Sequence, residues 1–256
     1  MKISNSLGMV VAVMILTSLY FFNSRVLAQE QLEILTCECP PLSYENNHRV
    51  EGPGADLVRH IQKKLNTHEQ ISIFPWARAY RTTEEVANTV LFSTAKTPQR
   101  EDLFKWVGPM AEKKYYFFAR MGSKIEINSI EDAKKYTVGV HLESNNHRFL
   151  LSKGFEALQP VVLEEQNLMK LYYGRIDLWY VDSATPMSLM ALHFMKGAVE
   201  KKYFVQNIKL YYAFNKATPD RVVNNWQQAL DNIRQQGTML EVFKKHNLEN
   251  LYPIQY

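Results

Sequence analysis

Short apolar runs alternate with amphipathic segments along most of this chain, and this alternation limits the fold more than any other feature. Strands are predicted at 32–36, 71–74, 90–92, 115–119, 137–140, 161–163, 176–181 and 208–214. Helices are predicted at 54–65, from Pro75 onward, and at 144–153, 164–173, 186–195, 219–236 and 239–246. Strands that alternate with helices are typical of βαβ units, so the sequence predicts an α/β fold. No flexible tether separates the elements, which indicates two compact lobes joined by strands.

The N-terminus is typical of a cleaved signal peptide. Lys2 precedes an apolar run at 7–22, and the small-residue site Val26-Leu27-Ala28 stands before Gln29. The apolar run is short for a membrane span, which needs about 20 residues. An uncleaved N-terminal anchor is the alternative. We predict cleavage of residues 1–28 and a periplasmic mature chain that begins at Gln29.

Charge and motifs exclude several function classes. Lys2 and Arg25 are the only charged residues of the signal peptide, so its removal lowers the formal net charge from +4 to +2. This bias is too weak to indicate binding to nucleic acid. The sequence has no nucleophile elbow, phosphate loop, dinucleotide glycine fingerprint or zinc-protease motif. Its seven histidines lack metal-ligand spacing. We therefore expect no enzyme, cofactor or metal.

The two cysteines, Cys37 and Cys39, leave alternatives open. An even count in an exported chain suggests a disulfide. In an extended strand, however, residues two apart lie at or beyond the Cα separation that a disulfide tolerates. A strained bridge and two packed thiols both stay open, and we favour the thiols.

Five stretches carry a resemblance to a known family. They occur in the family's order and spacing at 41–65, 92–110, 137–146, 174–182 and 210–246. The chain resembles the bacterial family-3 extracellular solute-binding proteins, which serve ABC importers as receptors for polar amino acids. The resemblance implies a type II periplasmic-binding-protein fold with a hinge between two lobes. It places residues 29–115 and 208–256 in a discontinuous first lobe and residues 116–207 in the second.

In the first lobe, the resemblance implies three ligand-binding residues. Arg100 matches the arginine that grips the ligand's carboxylate, and a planar guanidinium suits this role because it binds a carboxylate with two hydrogen bonds. A surface arginine in a charged turn is the alternative. Ser93 matches the loop whose backbone holds the same carboxylate, and Trp76 matches an aromatic wall. A core tryptophan packed on Tyr80 is equally compatible with the pattern. Ala95 stands where the family usually has a hydroxyl.

In the second lobe, Ser144 and Asn145 match a helix start that completes the anion site, because a helix N-terminus offers free N–H groups. Ser144 is also a preferred N-cap residue. Glu143 departs from the family, which commonly has glycine there. Asp182 matches the acid that receives the ligand's α-ammonium group, with helix capping as the alternative role.

The resemblance implies a non-catalytic function. We expect a monomer that captures a small polar ligand, an amino acid or related compound, and delivers it to an inner-membrane ABC transporter. One alternative is a dehydratase-like enzyme on the same scaffold, with Glu143 as a buried general acid. The other is a detachable ligand-sensing module.

Overall fold

The computed structural model describes residues 31–253. The predicted signal peptide therefore lies outside the described residues. Ten strands are present: β1 Glu33–Thr36, β2 Tyr44–Asn46, β3 Arg49–Glu51, β4 Ile71–Ile73, β5 Thr89–Ala95, β6 Phe104–Arg120, β7 Val138–His141, β8 Leu158–Val161, β9 Leu178–Asp182 and β10 Val199–Asn215. Seven α-helices accompany them: α1 Pro53–Leu65, α2 Trp76–Glu85, α3 Asn145–Ser152, α4 Glu164–Tyr172, α5 Ala184–Leu192, α6 Asp220–Gln235 and α7 Thr238–Lys245. Both counts refer to residues 31–253.

Eight strands form one sheet, in the order β4-β1-β5-β10-β6-β9-β7-β8. At one end β1 pairs in parallel with β4 and β5, and at the other end β7 pairs in parallel with β8 and β9. The two long strands β6 and β10 run antiparallel to each other between these ends, and each has 17 residues. The predicted α/β fold is thus confirmed, with its two parallel parts joined by a long antiparallel ribbon.

The apolar core is divided along that ribbon. Met110 and Leu210 belong to a buried cluster that packs on β1, β5, α1 and α6. Tyr115 and Phe117 belong to another cluster, which packs on β7, β9 and α3. The change from one cluster to the other falls near the middle of β6. The lobe boundaries at 115 and 208 stay a prediction, with which this division is compatible.

Several predicted elements differ from the observed ones. The strands predicted at 115–119 and 208–214 are the C-terminal parts of β6 and β10, because charged residues such as Lys113 and Lys202 interrupt the apolar pattern in the rest of each strand. The β2–β3 hairpin was not predicted. Asn47 and His48 form its turn, and both have the positive φ that a tight two-residue hairpin needs. Pro219 is the N-cap of α6 rather than its first residue.

The preference for free cysteines is also wrong. Cys37 and Cys39 are joined by a disulfide, with a Cα–Cα distance of 5.3 Å. The Cα–Cα distance is short enough for a disulfide because β1 ends at Thr36 and the chain then turns. After the turn, the backbone of Cys39 forms an isolated antiparallel β-bridge with that of Ser43. None of the helices within 31–253 has the length and apolar character that crossing a membrane requires.

Candidate functional site

A cavity of about 80 Å³ lies where the parallel strands of both parts of the sheet end. Ala95, His141 and Asp182 are the last residues of β5, β7 and β9, and all three line it. Ligands of α/β sheets bind at this edge, beyond the carboxyl ends of the strands. The cavity is also lined by all six residues predicted to bind the ligand, namely Trp76, Ser93, Arg100, Ser144, Asn145 and Asp182. The fold thus brings together residues that lie more than 100 positions apart.

Arg100 is buried in the cavity wall without a counterion. Only 2% of its surface is exposed, and its guanidinium carbon lies 5.5 Å from the ring centre of Trp76 and 4.8 Å from that of Tyr80. Nη1 lies 3.5 Å from the carbonyl oxygen of Ala95, and Nη2 has no hydrogen-bond partner within the described residues. Burial lowers the pKa of Arg100, but a guanidinium stays protonated in proteins. The alternative of a surface arginine is therefore wrong.

Ser93 and Trp76 complete the wall of the first lobe. Ser93 has a φ of 63°, and its buried Oγ has no partner within residues 31–253. Trp76 is the first residue of α2, and its ring packs 5.9 Å from that of Tyr80. Its Nε1 donates a hydrogen bond of 3.2 Å to the carbonyl oxygen of Glu143, which belongs to the opposite side of the cavity. Trp76 is thus both a packed tryptophan and a cavity residue.

The N-terminus of α3 faces Arg100 across the cavity. Ser144 is the N-cap, and its Oγ accepts a hydrogen bond from the backbone N–H of His147 at 3.2 Å. The same Oγ donates to the carbonyl oxygen of His141 at 2.7 Å. Asn145, the first residue of the helix, lines the cavity beside it. Because the first N–H groups of a helix lack partners inside the helix, this end attracts an anion.

Asp182 is surrounded by donors of the protein itself. Oδ1 accepts hydrogen bonds from the backbone N–H groups of Ala184 at 2.9 Å and Thr185 at 3.1 Å. Asp182 thus supplies acceptors to the first turn of α5 from the position just before the N-cap Ser183. Oδ2 lies 2.8 Å from Lys113 Nζ and 2.6 Å from Thr185 Oγ1. Lys113 and Asp182 are both buried, with side-chain exposures of 9% and 3%. The capping role is thus present, together with a buried ion pair.

Two further titratable groups of the cavity have shifted pKa values. Burial raises the pKa of Glu164 to about 7, against the opposing effect of hydrogen bonds from Asn167 Nδ2 and Trp179 Nε1. Burial lowers the pKa of His141 to about 4, and the positive charge of Lys113 acts in the same direction. Near pH 7, His141 is therefore neutral and Glu164 is partly protonated.

Glu143 does not occupy the place that a buried general acid requires. Its side chain is exposed and does not line the cavity. Its φ of 54° lies in the left-handed region, where glycine is the least strained residue. The carboxylate therefore neither repels an anion in the cavity nor has the burial that the dehydratase alternative assumed. Within residues 31–253, no group of His, Cys, Asp and Glu side chains could hold a metal ion.

Two larger cavities adjoin the central one. A cavity of about 590 Å³ shares Pro40 and Glu164 with it, and its lining combines apolar residues such as Leu192 with further carboxylates such as that of Glu165. Another of about 540 Å³ shares Arg100 and Asn145 and has a basic lining that includes Arg148. A ligand anchored at the centre could extend into either of them.

Comparison with known families decides the class of the protein. Residues 32–249 match the model of the bacterial extracellular solute-binding proteins, family 3. The chain belongs to this family. The predicted family is thus confirmed over nearly all of the described residues. No curated protein has a sequence that matches this solute-binding protein.

Solved structures confirm the two-lobed periplasmic-binding-protein fold. A histidine kinase sensor domain with similarity to periplasmic binding proteins matches with a TM-score of 0.79 and 16% identity, over 88% of this chain and all of that one. An ancestral arginine-binding protein bound to arginine matches with a TM-score of 0.75 and 18% identity, over 84% of this chain and 98% of that one. ArtJ of Geobacillus stearothermophilus is an arginine-, lysine- and histidine-binding protein. It matches with a TM-score of 0.73 and 16% identity, over 86% of this chain and 96% of that one.

Sequence reasoning missed several cavity residues of this solute-binding protein. They are Lys113, Tyr115, His141, Asn146, Glu164 and Thr185. Burial raises the pKa of Tyr115 well above its ordinary value, and the charge of Asp182 adds to this effect. Position was the available signal for His141, Asn146, Glu164 and Thr185, each of which lies at a strand end or in the first two residues of a helix. Lys113 and Tyr115 lie inside β6 and had no such signal.

Proposed function

We propose that this protein captures a small polar solute that carries a carboxylate, an amino acid or a related compound, and delivers it to an ABC importer in the periplasm. The single observation that carries the proposal is the buried, unpaired guanidinium of Arg100. Removing a cation from water costs several kcal/mol unless a counter-charge and hydrogen bonds replace the water. Since no carboxylate of the described residues pairs with Arg100, a ligand carboxylate is the natural counterion.

The position of the other donors supports a carboxylate at this point. Ser93 Oγ lacks a partner in the described part of the chain and lines the same cavity as Arg100. The N-terminus of α3 lies opposite, with Ser144 and Asn145 in the cavity wall. A carboxylate between these groups would receive hydrogen bonds from both sides of the cavity. Such charge-assisted hydrogen bonds are about twice as strong as neutral ones.

Capture would proceed by closure of one lobe on the other. The hydrogen bond from Trp76 to the carbonyl of Glu143 joins the two sides of the cavity. Thr185 Oγ1 also lies 2.9 Å from the carbonyl oxygen of Pro40, although its single proton can serve either Pro40 or Asp182. These contacts would break when the lobes separate, and the β6–β10 ribbon would act as the hinge.

A thermal-shift screen of the mature protein tests the proposal. Amino acids, organic acids, polyamines and peptides are compared at equal concentration. A ligand present at 100 times its dissociation constant adds ~2.7 kcal/mol of stability, which corresponds to a melting shift of roughly 5 to 10 °C for a chain of this size. We expect shifts only with compounds that carry a carboxylate. Stabilisation by polyamines alone would refute the proposal.

An acid–base enzyme is a second candidate, and Glu164 rather than Glu143 favours it. Glu164 lines the cavity and has a pKa of about 7, which suits a general acid. Incubation with prephenate-like substrates distinguishes the two functions, because a binding protein returns such a compound unchanged. A sensory role would leave the binding site as described and would differ in the partner, which cross-linking in cells identifies.

A further inference from the structure

The acceptor capacity of Asp182 is already used by the protein. A carboxylate has about four lone-pair sites. Three donors act on Asp182 within 3.1 Å, namely the backbone nitrogens of Ala184 and Thr185 at Oδ1 and Lys113 Nζ at Oδ2. Thr185 Oγ1, 2.6 Å from Oδ2, adds a fourth when its single proton is not donated to the carbonyl oxygen of Pro40. A ligand ammonium group could reach this carboxylate only by displacing one of them. The backbone donors belong to the first turn of α5, so Lys113 is the cation with which a ligand would compete.

Lys113 thus supplies an ammonium group of its own to Asp182. Its Nζ carries three N–H donors, and one of them is directed to Asp182 Oδ2 at 2.8 Å. Its remaining donors have no protein acceptor within the described residues, and Lys113 lines the cavity together with Arg100. The cavity wall therefore offers free donors at two cationic side chains.

The charges of the cavity residues also favour a ligand without an ammonium group. Asp182 neutralises Lys113, Arg100 has no carboxylate partner among the described residues, and His141 is neutral near pH 7. When Glu164 is protonated, one positive charge is left for the ligand to neutralise. A monoanion meets this requirement, whereas a zwitterion would place its ammonium group beside Lys113. Two neighbouring ammonium groups repel each other in a cavity that is partly shielded from water.

We propose that the ligand is a carboxylate that carries a hydroxyl or oxo group, and not an ammonium group, on its α-carbon. Arg100 binds the carboxylate, and Lys113 donates a hydrogen bond to the α-oxygen. This inference rests on the proposed capture of a carboxylate and narrows it to one substrate class. The remainder of the ligand would extend toward the cavity of about 590 Å³, whose lining includes Leu163 and Leu192.

Matched pairs of ligands test the inference on the unmodified protein. Each pair consists of an α-hydroxy acid and the α-amino acid with the same side chain, such as lactate and alanine, or phenyllactate and phenylalanine. The panel spans small, aliphatic, aromatic, acidic and basic side chains, and dissociation constants are measured by calorimetric titration. We expect the hydroxy acid of the best pair to bind at least tenfold more tightly than its amino acid.

The variant Lys113→Met tests the role of Lys113 directly. It removes the built-in ammonium group and leaves its position at Oδ2 of Asp182 open to a ligand ammonium group, so the preference should shift toward the amino acid by tenfold or more. Lys114→Met is the matched control, because Lys114 is the next residue of β6 and its side chain is exposed. This control should keep the wild-type preference. If Lys113→Met does not fold, the comparison on the unmodified protein still decides the inference.

The outcomes separate this inference from the function on which it rests. Tighter binding of the amino acids than of the hydroxy acids would overturn the inference and leave carboxylate capture intact. An unchanged preference in folded Lys113→Met would also overturn it. If no carboxylate of the panel binds, carboxylate capture fails and the inference falls with it.

Discussion

Replacement of Arg100 gives the most direct test of how the cavity holds a ligand. In Arg100→Ala the guanidinium is removed, and a bound carboxylate loses its counter-charge in a site with little water. Loss of one partner of a buried charge pair costs about 2–5 kcal/mol. The dissociation constant should therefore rise by roughly 30-fold to several thousand-fold, since each ~1.4 kcal/mol is a factor of ten. Arg100→Lys should recover only part of the loss, because an ammonium group cannot make the paired hydrogen bonds of a guanidinium.

The same substitution has opposing effects on the stability of the ligand-free protein. Arg100 packs over the rings of Trp76 and Tyr80, and such contacts contribute up to ~2 kcal/mol when desolvated. Removal of a buried cation without a counterion relieves a desolvation cost of several kcal/mol. Since the two effects are of similar size, we expect Arg100→Ala to fold and to melt within a few degrees of the wild type.

Calorimetric titration with a ligand from the thermal-shift screen measures the affinity, and melting curves measure the stability. Arg78→Ala is the matched control, because the guanidinium of Arg78 also lies over an aromatic ring, that of Phe74 at 4.2 Å, but Arg78 is exposed and lines none of the three cavities described above. We expect this control to bind within a few-fold of the wild type. Near-normal affinity in Arg100→Ala would show that Arg100 does not bind the ligand, and the carboxylate assignment would then be wrong.

Three further predictions concern pH, shape and processing. Because burial raises the pKa of Glu164 to about 7, the folded protein holds a proton that the unfolded chain releases near pH 4.5. The contribution of Glu164 to the free energy of unfolding should therefore fall by about 1 kcal/mol between pH 6.5 and 8. Glu164→Gln should flatten this dependence in melting curves, and parallel curves for the two proteins would contradict the prediction. A saturating ligand should reduce the radius of gyration in small-angle scattering, and an unchanged radius would argue against closure. Mass spectrometry of the exported protein should give a chain that begins at Gln29; an intact N-terminus in the membrane fraction would indicate an anchor instead.

Much of the fold could be predicted because its elements have local signals. Helix α1 has an apolar stripe that includes Leu57 and Ile61, and both residues are buried as the periodicity predicts. The ribbon of β6 and β10 could not be predicted at full length. Charged residues such as Lys113 interrupt its apolar pattern, and only the opposite strand and the second lobe account for their burial.

Local motifs were likewise sufficient to predict which residues line the cavity in part, but not which residues they contact. Ser144 before a helix and Asp182 at a strand end were recognisable from their neighbours in the sequence. The partner of Asp182 was not, because Lys113 lies 69 positions away and pairs with it only through the alignment of β6 beside β9.

The amino-acid sequence by itself determined the alternation of strands and helices, the family and six of the residues that line the cavity. These depend on local periodicity, capping and short motifs, which the order of residues specifies directly. The tertiary structure alone decided that Arg100 is buried without a counterion, that Glu143 is exposed and that Glu164 is buried near Asp182. Burial and charge pairing depend on which distant segments pack together, and that packing determines whether a charged side chain stabilises the fold or is left for a ligand.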